Sequence, residues 1–221
     1  MRHPSQENAP AERMVKLQLE PRDIRDAGVL AAMRAVPRHL FVPSGGHGAA
    51  YEDHPISIGH QQTISQPYMV AFMTQALALR GTERVLEVGT GSGYQTAVLA
   101  ELSAEVFSVE RIPELAAMAA RVLQSQGYQN VRLRTGDGSQ GWPELAPFDR
   151  ILVAAAAPSL PTSLLDQLAD TGIMVIPVGD WRRSQELMVA RRNGASLAIE
   201  RSIGCRFVPL IGAGGFPEPG R

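Results

Sequence analysis

The sequence predicts an α/β fold with a mostly parallel, doubly wound sheet, helices on both faces and an antiparallel C-terminal edge. Apolar runs of strand length alternate with helical patterns from Arg84 to about Ala169. Further strand-like runs after Pro177 follow one another without helices between them. Alternating strands and helices are typical of a parallel sheet, and consecutive strands at the end indicate an antiparallel edge. Ligands of such sheets bind at the carboxyl ends of the strands.

The composition excludes several classes of protein. Of the 221 residues, 44% are hydrophobic, which is enough to bury a sizeable core. Lys+Arg 21 and Asp+Glu 22 leave a formal charge of −1, so no global field favours nucleic acid or an anionic membrane. The single cysteine, Cys205, excludes an internal disulfide and is predicted to be a buried small hydrophobe. Residues 1–12 are polar and predicted to be frayed, without a signal peptide or transmembrane helix, so we expect a cytoplasmic protein.

The N-terminal region is predicted to be an accessory to the sheet. An amphipathic helix is expected from Asp23 to Val36, where Pro37 ends it. Residues 37–55 contain three prolines and three glycines, and we expect a long loop over the ligand end of the sheet. The histidines of this region are irregularly spaced, have no cysteines or paired acids nearby, and are not expected to hold a metal: His39, His47, His54 and His60.

Ser65 lies just before Pro67 and an apolar run that continues to Leu79. Proline is common in the first turn of a helix, so a helix is predicted to start here. One interpretation of Ser65 is helix capping, which alone would explain a small hydroxyl at this point. The other is a place in an active site, and composition alone favours capping.

A glycine-rich loop follows the apolar run Arg84–Val88, with glycines at positions 89, 91 and 93. Glycines permit positive φ and close approach of a ligand, and the following helix start presents free N–H groups. This pattern predicts a nucleotide or nucleoside site. The spacing G-x-G-x-G disfavours NAD, whose loop reads G-x-G-x-x-G. Glu87, an acid on an apolar strand, suits the cationic methionyl end of S-adenosylmethionine, although an ordinary strand–helix turn is the simpler alternative.

Two acids at later strand ends extend this prediction. Glu110 ends a predicted strand about 20 residues after the first glycine, where a nucleoside site places a carboxylate for the ribose hydroxyls. Asp137 lies between two glycines after the next strand and could accept a hydrogen bond from the adenine amino group. A solvated strand end for Glu110 and a turn-forming role for Asp137 are the alternatives.

The remaining elements follow from the same patterns. A segment of small residues, Ala154–Ala157, leaves room at the end of the fourth strand. The predicted helices are Thr96–Leu102, Pro113–Gln126 and Pro161–Ala169, and the predicted strands are Glu105–Glu110, Val131–Thr135, Phe148–Val153, Gly172–Pro177, Glu186–Arg192, Leu197–Ile203 and Arg206–Leu210.

From about Asp23 to Leu210 the chain resembles the protein-L-isoaspartate O-methyltransferase family. The glycine loop is shared with many methyltransferases, whereas the Thr-Ile-Ser-x-Pro motif is specific to this family. The matching segments are Val36–Arg38, Phe41–Pro43, Ala50–Tyr51, Thr63–Pro67, Val85–Ala97, Gly136–Gly138, Pro147–Asp149, Ala154–Pro158, Ile176–Gly179 and Phe207–Leu210. The resemblance implies a Rossmann-like class I methyltransferase sheet with a family-specific order of its last strands.

The resemblance also implies the reaction and its residues. The enzyme would methylate the free carboxylate of L-isoaspartyl, and also D-aspartyl, residues in damaged proteins, and the ester would close to a succinimide. Ser65 would be catalytic, which reverses the capping preference, and no metal is implied. The implied S-adenosylmethionine-binding residues are Thr63, Ile64, Tyr68, Glu87, Gly89, Thr90, Gly91, Ser92, Gly93, Glu110, Arg111, Asp137 and Gly138.

The expected domain organisation has a site-covering extension at 13–66, a methyltransferase domain at 67–211 and a tail at 212–221. We expect a monomer whose partners are isoaspartyl peptides and proteins, with no nucleic acid or membrane. Gln61 departs from the family pattern, which often has glycine there, so we expect the peptide-facing loop to be shifted. Two alternatives stay open at this point: an amino-group methyltransferase, which would usually carry Asn/Asp-Pro-Pro-aromatic where Ala154–Ala157 stand, and a non-catalytic S-adenosylmethionine-binding module.

Overall fold

The computed structural model describes residues 9–218, so most of the predicted frayed segment lies outside the described residues. Helix α1 (Ala9–Met14) continues into a π-helical turn at Val15–Leu19, and residues 9–12 are therefore helical and not frayed. Helix α2 (Ala27–Ala35) lies within the predicted range. The Asp26 carboxylate caps it by accepting a 2.9 Å hydrogen bond from the backbone N–H of Val29.

The segment between α2 and the sheet has more regular structure than predicted. Residues 38–41 and 44–49 form 3₁₀ turns inside the predicted loop. Strands β1 (Ile56–Gly59) and β2 (Gln62–Ile64) then form an antiparallel hairpin, and helix α3 (Pro67–Ala76) follows it. The hairpin leads the chain directly to Ser65.

The main sheet has seven strands among the described residues, in the order β5-β4-β3-β6-β7-β8-β9. Pairing is parallel from β5 to β7 and antiparallel from β7 to β9, which confirms the predicted fold class. The strands are β3 (Arg84–Val88), β4 (Glu105–Glu110), β5 (Val131–Thr135), β6 (Phe148–Val153), β7 (Leu168–Gly179), β8 (Gln185–Asn193) and β9 (Ser196–Cys205), and the helices are α4 (Tyr94–Ala100), α5 (Pro113–Ser125) and α6 (Thr162–Leu165).

Two predicted elements are wrong. The helix predicted at 161–169 is only α6, because β7 already begins at Leu168. The strand predicted at 206–210 is absent, and only an isolated bridge joins Pro209 to Ala156. The side-chain amide of Gln185 bonds both the N–H and the carbonyl of Phe207, and Pro209 has no N–H to donate, so this segment cannot continue a strand ladder.

The central strands of the sheet are buried on both faces, whereas the edge strand β9 is mostly exposed. Leu86 and Val88 of β3 join the apolar cluster on one face, and Val85 joins the cluster on the other. A third cluster joins the N-terminal helices and the hairpin to α4 and α5. Cys205 is half-buried and not fully buried as expected. Within residues 9–218, no helix has the length and apolar character needed to span a bilayer.

Candidate active site

A cavity with a volume of about 120 Å³ opens at the carboxyl ends of β3, β4 and β6. Its walls come from four parts of the chain: the segment from β2 to α3, the end of β3 with the glycine loop and the start of α4, the segments that end β4, β5 and β6, and residues 207–211. The lining residues are Gln62, Thr63, Ile64, Ser65, Val70, Met73, Val88, Gly89, Thr90, Gly91, Ser92, Tyr94, Gln95, Val109, Glu110, Arg111, Ile112, Gly138, Ala154, Ala155, Phe207, Val208, Pro209, Leu210 and Ile211.

The glycine loop adopts a conformation that requires glycine. Gly89, Gly91 and Gly93 have φ of 94°, 53° and 87°. A side chain on Gly93 would also meet Ala119 and Leu123 of α5 at 3.2 and 3.3 Å. Gly93 therefore packs the loop against α5, and it does not line the cavity.

Glu110 supports the loop from the end of β4. One of its carboxylate oxygens accepts a 2.8 Å bond from the N–H of Gly91, and the other accepts a 2.9 Å bond from the N–H of Ile112. The side chain lines the cavity and is 6% exposed. Each oxygen keeps a second acceptor position, so the carboxylate is fixed and can still accept from a ligand.

Glu87 does not face the cavity. Its Oε2 accepts hydrogen bonds from the hydroxyls of Thr96 at 2.5 Å and Ser108 at 2.6 Å, while Oε1 is buried without a partner among the described residues. The hydroxyl of Thr90 extends this network by bonding Ser108 at 2.6 Å. Complete burial raises the pKa of Glu87 to about 7, although the two hydroxyl bonds act in the opposite direction. Direct contact with a methionyl amino group is not supported by this orientation.

Ser65 lines the same cavity as the glycine loop. The N-cap of α3 is Gln66, and no side chain caps that helix, so the capping interpretation is wrong. Among residues 9–218, nothing hydrogen-bonds the Ser65 hydroxyl, whereas its carbonyl accepts a 2.7 Å bond from Arg38. The hydroxyl is thus free to serve a ligand.

The turn before Ser65 contains Gln61, the residue for which a shifted loop is predicted. His60 and Gln61 join β1 to β2 with φ of 50° and 58°. Positive φ at both central residues is the requirement of a type I′ hairpin turn. Gln61 therefore adopts a left-handed conformation that glycine adopts at less cost, and the pairing of β1 with β2 is irregular between Ser57 and Gly59.

Asp137 connects the third parallel strand end to the C-terminal strap, the name used here for residues 212–218. Its Oδ1 accepts bonds from the N–H and hydroxyl of Ser139, and its Oδ2 accepts a 2.8 Å bond from the N–H of Ala213. The strap is also held by a 2.8 Å bond from the N–H of Gly214 to the Ser139 hydroxyl. Asp137 does not line the main cavity, but its neighbour Gly138 does, and a Cβ there would lie 2.6 Å from Val88.

Most predicted site residues meet at this cavity, and four do not. Ten lie on its wall: Thr63, Ile64, Ser65, Gly89, Thr90, Gly91, Ser92, Glu110, Arg111 and Gly138. The four that do not line it are Glu87, Gly93 and Asp137, described above, and Tyr68. Its ring lies against the Arg22 guanidinium at 3.5 Å, and its N–H donates to Asp53. The predicted covering loop 37–55 also contributes nothing to the wall.

Sequence reasoning missed two groups of residues. Residues 207–211 form one wall, and the only signal for them was the family-like segment Phe207–Leu210. Arg38 is fully buried and reaches the Ser65 carbonyl from a segment predicted to be loop. An arginine in a proline-rich segment carries no sequence signal of burial.

Comparison with known proteins gives matches over nearly the whole chain. The family described as Protein-L-isoaspartate(D-aspartate) O-methyltransferase (PCMT) matches residues 9–214. The chain is 54% identical over 205 residues to Protein-L-isoaspartate O-methyltransferase 1 of Syntrophobacter fumaroxidans, covering 93% of this chain and 95% of that one. It is 51% identical over 197 residues to the Protein-L-isoaspartate O-methyltransferase of Gloeobacter violaceus, covering 89% and 96%.

Among solved structures, the fold is similar to a Plasmodium falciparum protein described as a protein-L-isoaspartate O-methyltransferase, in complex with S-adenosyl-L-homocysteine. The TM-score is 0.79 at 27% identity, and the match covers 93% of this chain and 98% of that one. A further structure with the name protein-L-isoaspartate O-methyltransferase gives a TM-score of 0.82 at 27% identity, covering 93% of this chain and 67% of the other. The family match at residues 9–214 spans every residue that lines the cavity.

Proposed function

The chain belongs to the protein-L-isoaspartate(D-aspartate) O-methyltransferase family, and from this premise we propose how its residues carry out the family's reaction. The enzyme transfers a methyl group from S-adenosylmethionine to the free carboxylate of an isoaspartyl residue in a damaged protein. This activity replaces both alternatives. The chain is a carboxyl methyltransferase and not an amino-group methyltransferase, and it is an enzyme and not only an S-adenosylmethionine-binding module. The observation that carries the assignment of residues is that Ser65 and the glycine loop line one cavity.

The residues present fit S-adenosylmethionine. Glu110 offers two fixed carboxylate oxygens beside the loop N–H groups, which suits a pair of ribose hydroxyls. Gly138 lines the cavity, and a Cβ there would lie 2.6 Å from Val88, so this position requires glycine and presents bare backbone to a flat adenine ring. Gly89, Thr90, Gly91 and Ser92 would hold the methionyl part, with Thr63, Ile64 and Arg111 on the rim. When bound, the cofactor supplies an electrophilic methyl group on sulfur.

The chain's own chemistry at the acceptor needs no general base. A carboxylate is already ionised at neutral pH, so the site has to orient it and exclude water. Of the described residues that line the cavity, none is a histidine or a lysine. Ser65 would donate its free hydroxyl to one oxygen of the acceptor carboxylate and aim the other oxygen at the methyl group. We expect kcat/KM to stay level from about pH 6 to 8.

The proposal also covers the domain bounds, the oligomeric state, the compartment and the partners. We place the site-covering extension at residues 13–66, the methyltransferase domain at 67–211 and the tail at 212–221. We propose a monomer that acts in the cytoplasm on isoaspartyl peptides and proteins, without a nucleic-acid or membrane partner. The near-neutral formal charge of −1 supports this, since it provides no field for a polyanion.

The test is Ser65→Ala, assayed with an isoaspartyl peptide. We expect kcat/KM to fall by about tenfold to a thousandfold while the Kd for S-adenosylhomocysteine stays the same, because the lost contact is with the acceptor. The unfolding free energy should change little, since the hydroxyl has no partner within residues 9–218. Ser57→Ala, in the first strand of the hairpin, is the matched control and should retain full activity. A stable Ser65→Ala enzyme with wild-type turnover would remove Ser65 from the reaction.

A further inference from the structure

We propose that Arg38 is the positioning residue of the active site, which fixes the Ser65 backbone so that its hydroxyl faces the acceptor. Its Nη2 donates a 2.7 Å hydrogen bond to the carbonyl of Ser65, and its Nε donates a 2.6 Å bond to the carbonyl of Ala50. The inference rests on the proposed function of Ser65. It assigns a role to a residue that does not itself line the cavity.

The Ser65 side chain cannot hold itself in place. Its hydroxyl has no hydrogen-bond partner within residues 9–218, and Pro67 removes one backbone N–H from the segment that follows. The position of the hydroxyl is therefore set by the Ser65 backbone. Arg38 contacts that backbone at its carbonyl, and the planar guanidinium fixes the direction of the contact as well as its distance.

Arg38 connects Ser65 to the cofactor side of the cavity. Its guanidinium carbon lies 4.7 Å from the centre of the Tyr94 ring. Tyr94 is fully buried, lines the cavity and is the first residue of α4, directly after the glycine loop. One side chain thus contacts the acceptor segment, the N-terminal segment at Ala50 and the helix that ends the cofactor loop.

The environment of Arg38 is costly, which argues against a role in stability alone. The side chain is fully buried, and no carboxylate of residues 9–218 forms an ion pair with it. Its Nη1 is buried without a partner in the same range, and burial lowers the pKa of the guanidinium. A buried unpaired charge destabilises a fold. A neutral side-chain amide could also bridge two backbone carbonyls. Stability alone therefore does not explain why a planar, charged guanidinium occupies this position.

The charge predicts a particular kinetic pattern. Methyl transfer neutralises the acceptor carboxylate, so a nearby cation stabilises the bound acceptor more than the transition state and mainly lowers KM. The hydrogen bond to the Ser65 carbonyl acts on orientation, and its loss mainly lowers kcat. Arg38→Lys keeps the charge and loses the fork, so kcat should fall while the peptide KM changes less than about twofold.

The decisive experiment is a double-mutant cycle between Arg38→Lys and Ser65→Ala, with folded fraction measured by circular dichroism. We expect Arg38→Lys to lower kcat/KM by about tenfold when Ser65 is present and by less than about twofold in the Ser65→Ala background. The Kd for S-adenosylhomocysteine should be unchanged. Arg34→Lys is the matched control, because Arg34 lies in the same N-terminal region but pairs with Glu12 and Glu20 near the surface, and it should show no coupling to Ser65.

The outcomes separate the two proposals. Full activity of Ser65→Ala alone would contradict the proposed function of Ser65, and this inference with it. A loss in Ser65→Ala combined with an equal Arg38→Lys effect in both backgrounds would overturn only the role of Arg38. Arg38→Gln, which buries no ammonium group, is the second variant and should give the same coupling. Failure of both Arg38 variants to fold would overturn the proposal, since a positioning residue can be replaced without losing the fold.

Discussion

Two glutamates at neighbouring strands, Glu87 and Glu110, show how environment decides the role of a residue. Glu110 accepts two backbone N–H bonds at the cavity wall, where its charge is satisfied and still available to a ligand. Glu87 lies one strand away, is fully buried, and accepts only from hydroxyls. Sequence spacing predicted the position of Glu110. It could not predict the direction of Glu87, which depends on Ser108 of the adjacent strand.

Glu110→Ala should weaken S-adenosylmethionine binding by about 1 to 3 kcal/mol, because a charged acceptor for two hydroxyls is lost. Isothermal calorimetry with S-adenosylhomocysteine measures this directly. Glu105→Ala is the matched control, since Glu105 begins the same strand but pairs with Arg132 at the surface. Unchanged affinity in Glu110→Ala would place the ribose elsewhere.

Glu87 should make stability depend on pH. The pKa of its carboxyl rises from 4.5 to about 7 on folding, so the folded state holds the proton more tightly. This contribution is complete below pH 4.5 and is lost as the pH rises through about 7, a change of about 3 kcal/mol. Glu87→Gln cannot ionise, so its unfolding free energy relative to wild type should rise by up to that amount between pH 5 and 8. Urea titrations at both pH values measure it, and parallel curves for the two proteins would contradict the assignment.

At the level of elements, the parallel sheet could be predicted and the hairpin could not. Strand β7 contains the continuous apolar run Ile173–Ile176 after Gly172, which is the pattern of a strand buried on both faces. Strands β1 and β2 have four and three residues, and their turn His60-Gln61 lacks the Asn-Gly pattern of two-residue hairpins. Their pairing depends on packing, since Ile58 lies over Gly91 of the glycine loop.

Gln61→Gly should stabilise the hairpin. A left-handed conformation costs an L-residue roughly 1–2 kcal/mol, and glycine avoids this cost. Glycine also gives the unfolded chain more conformational entropy, which offsets part of the benefit. We therefore expect the unfolding free energy to rise by up to about 1 kcal/mol. The peptide KM should stay within about twofold of wild type, because the turn conformation is the same. Gly59→Ala is the opposite control: its φ is 86° with open space around it, so backbone strain alone should cost about 1 kcal/mol. Thermal unfolding measures both, and a large fall in KM for Gln61→Gly would restore the idea of a shifted loop.

For the molecule as a whole, segments that precede and follow the main sheet in the sequence contact cavity residues or their neighbours. Arg38 reaches Ser65 from the N-terminal side, and the strap bonds Asp137 and Ser139 from the C-terminal side. Asp137 and Ala213 are 76 residues apart in the chain. Local periodicity carries no information about such contacts, so the residues of the glycine loop could be predicted while residues 207–211 and the strap could not.

Asp137→Ala tests whether its carboxylate contacts adenine or only holds the strap. We expect S-adenosylhomocysteine to bind about tenfold or more weakly, with the peptide KM nearly unchanged, because adenine lies away from the acceptor. Ser139→Ala removes the hydroxyl that bonds both Gly214 and Asp137, but it keeps the Asp137 carboxylate and its bond from the Ser139 N–H, so its loss of affinity should be smaller. Equal losses in the two variants, measured by calorimetry, would assign the effect to the strap alone.

The distribution of the cavity walls along the chain also has a consequence for biosynthesis. The first lining residue is Gln62 and the last is Ile211, so a nascent polypeptide has no complete cavity until the segment 207–211 has emerged from the ribosome. A ligand stabilises a fold only by binding to it. We therefore expect S-adenosylmethionine to protect the finished enzyme from unfolding more than it protects the growing chain.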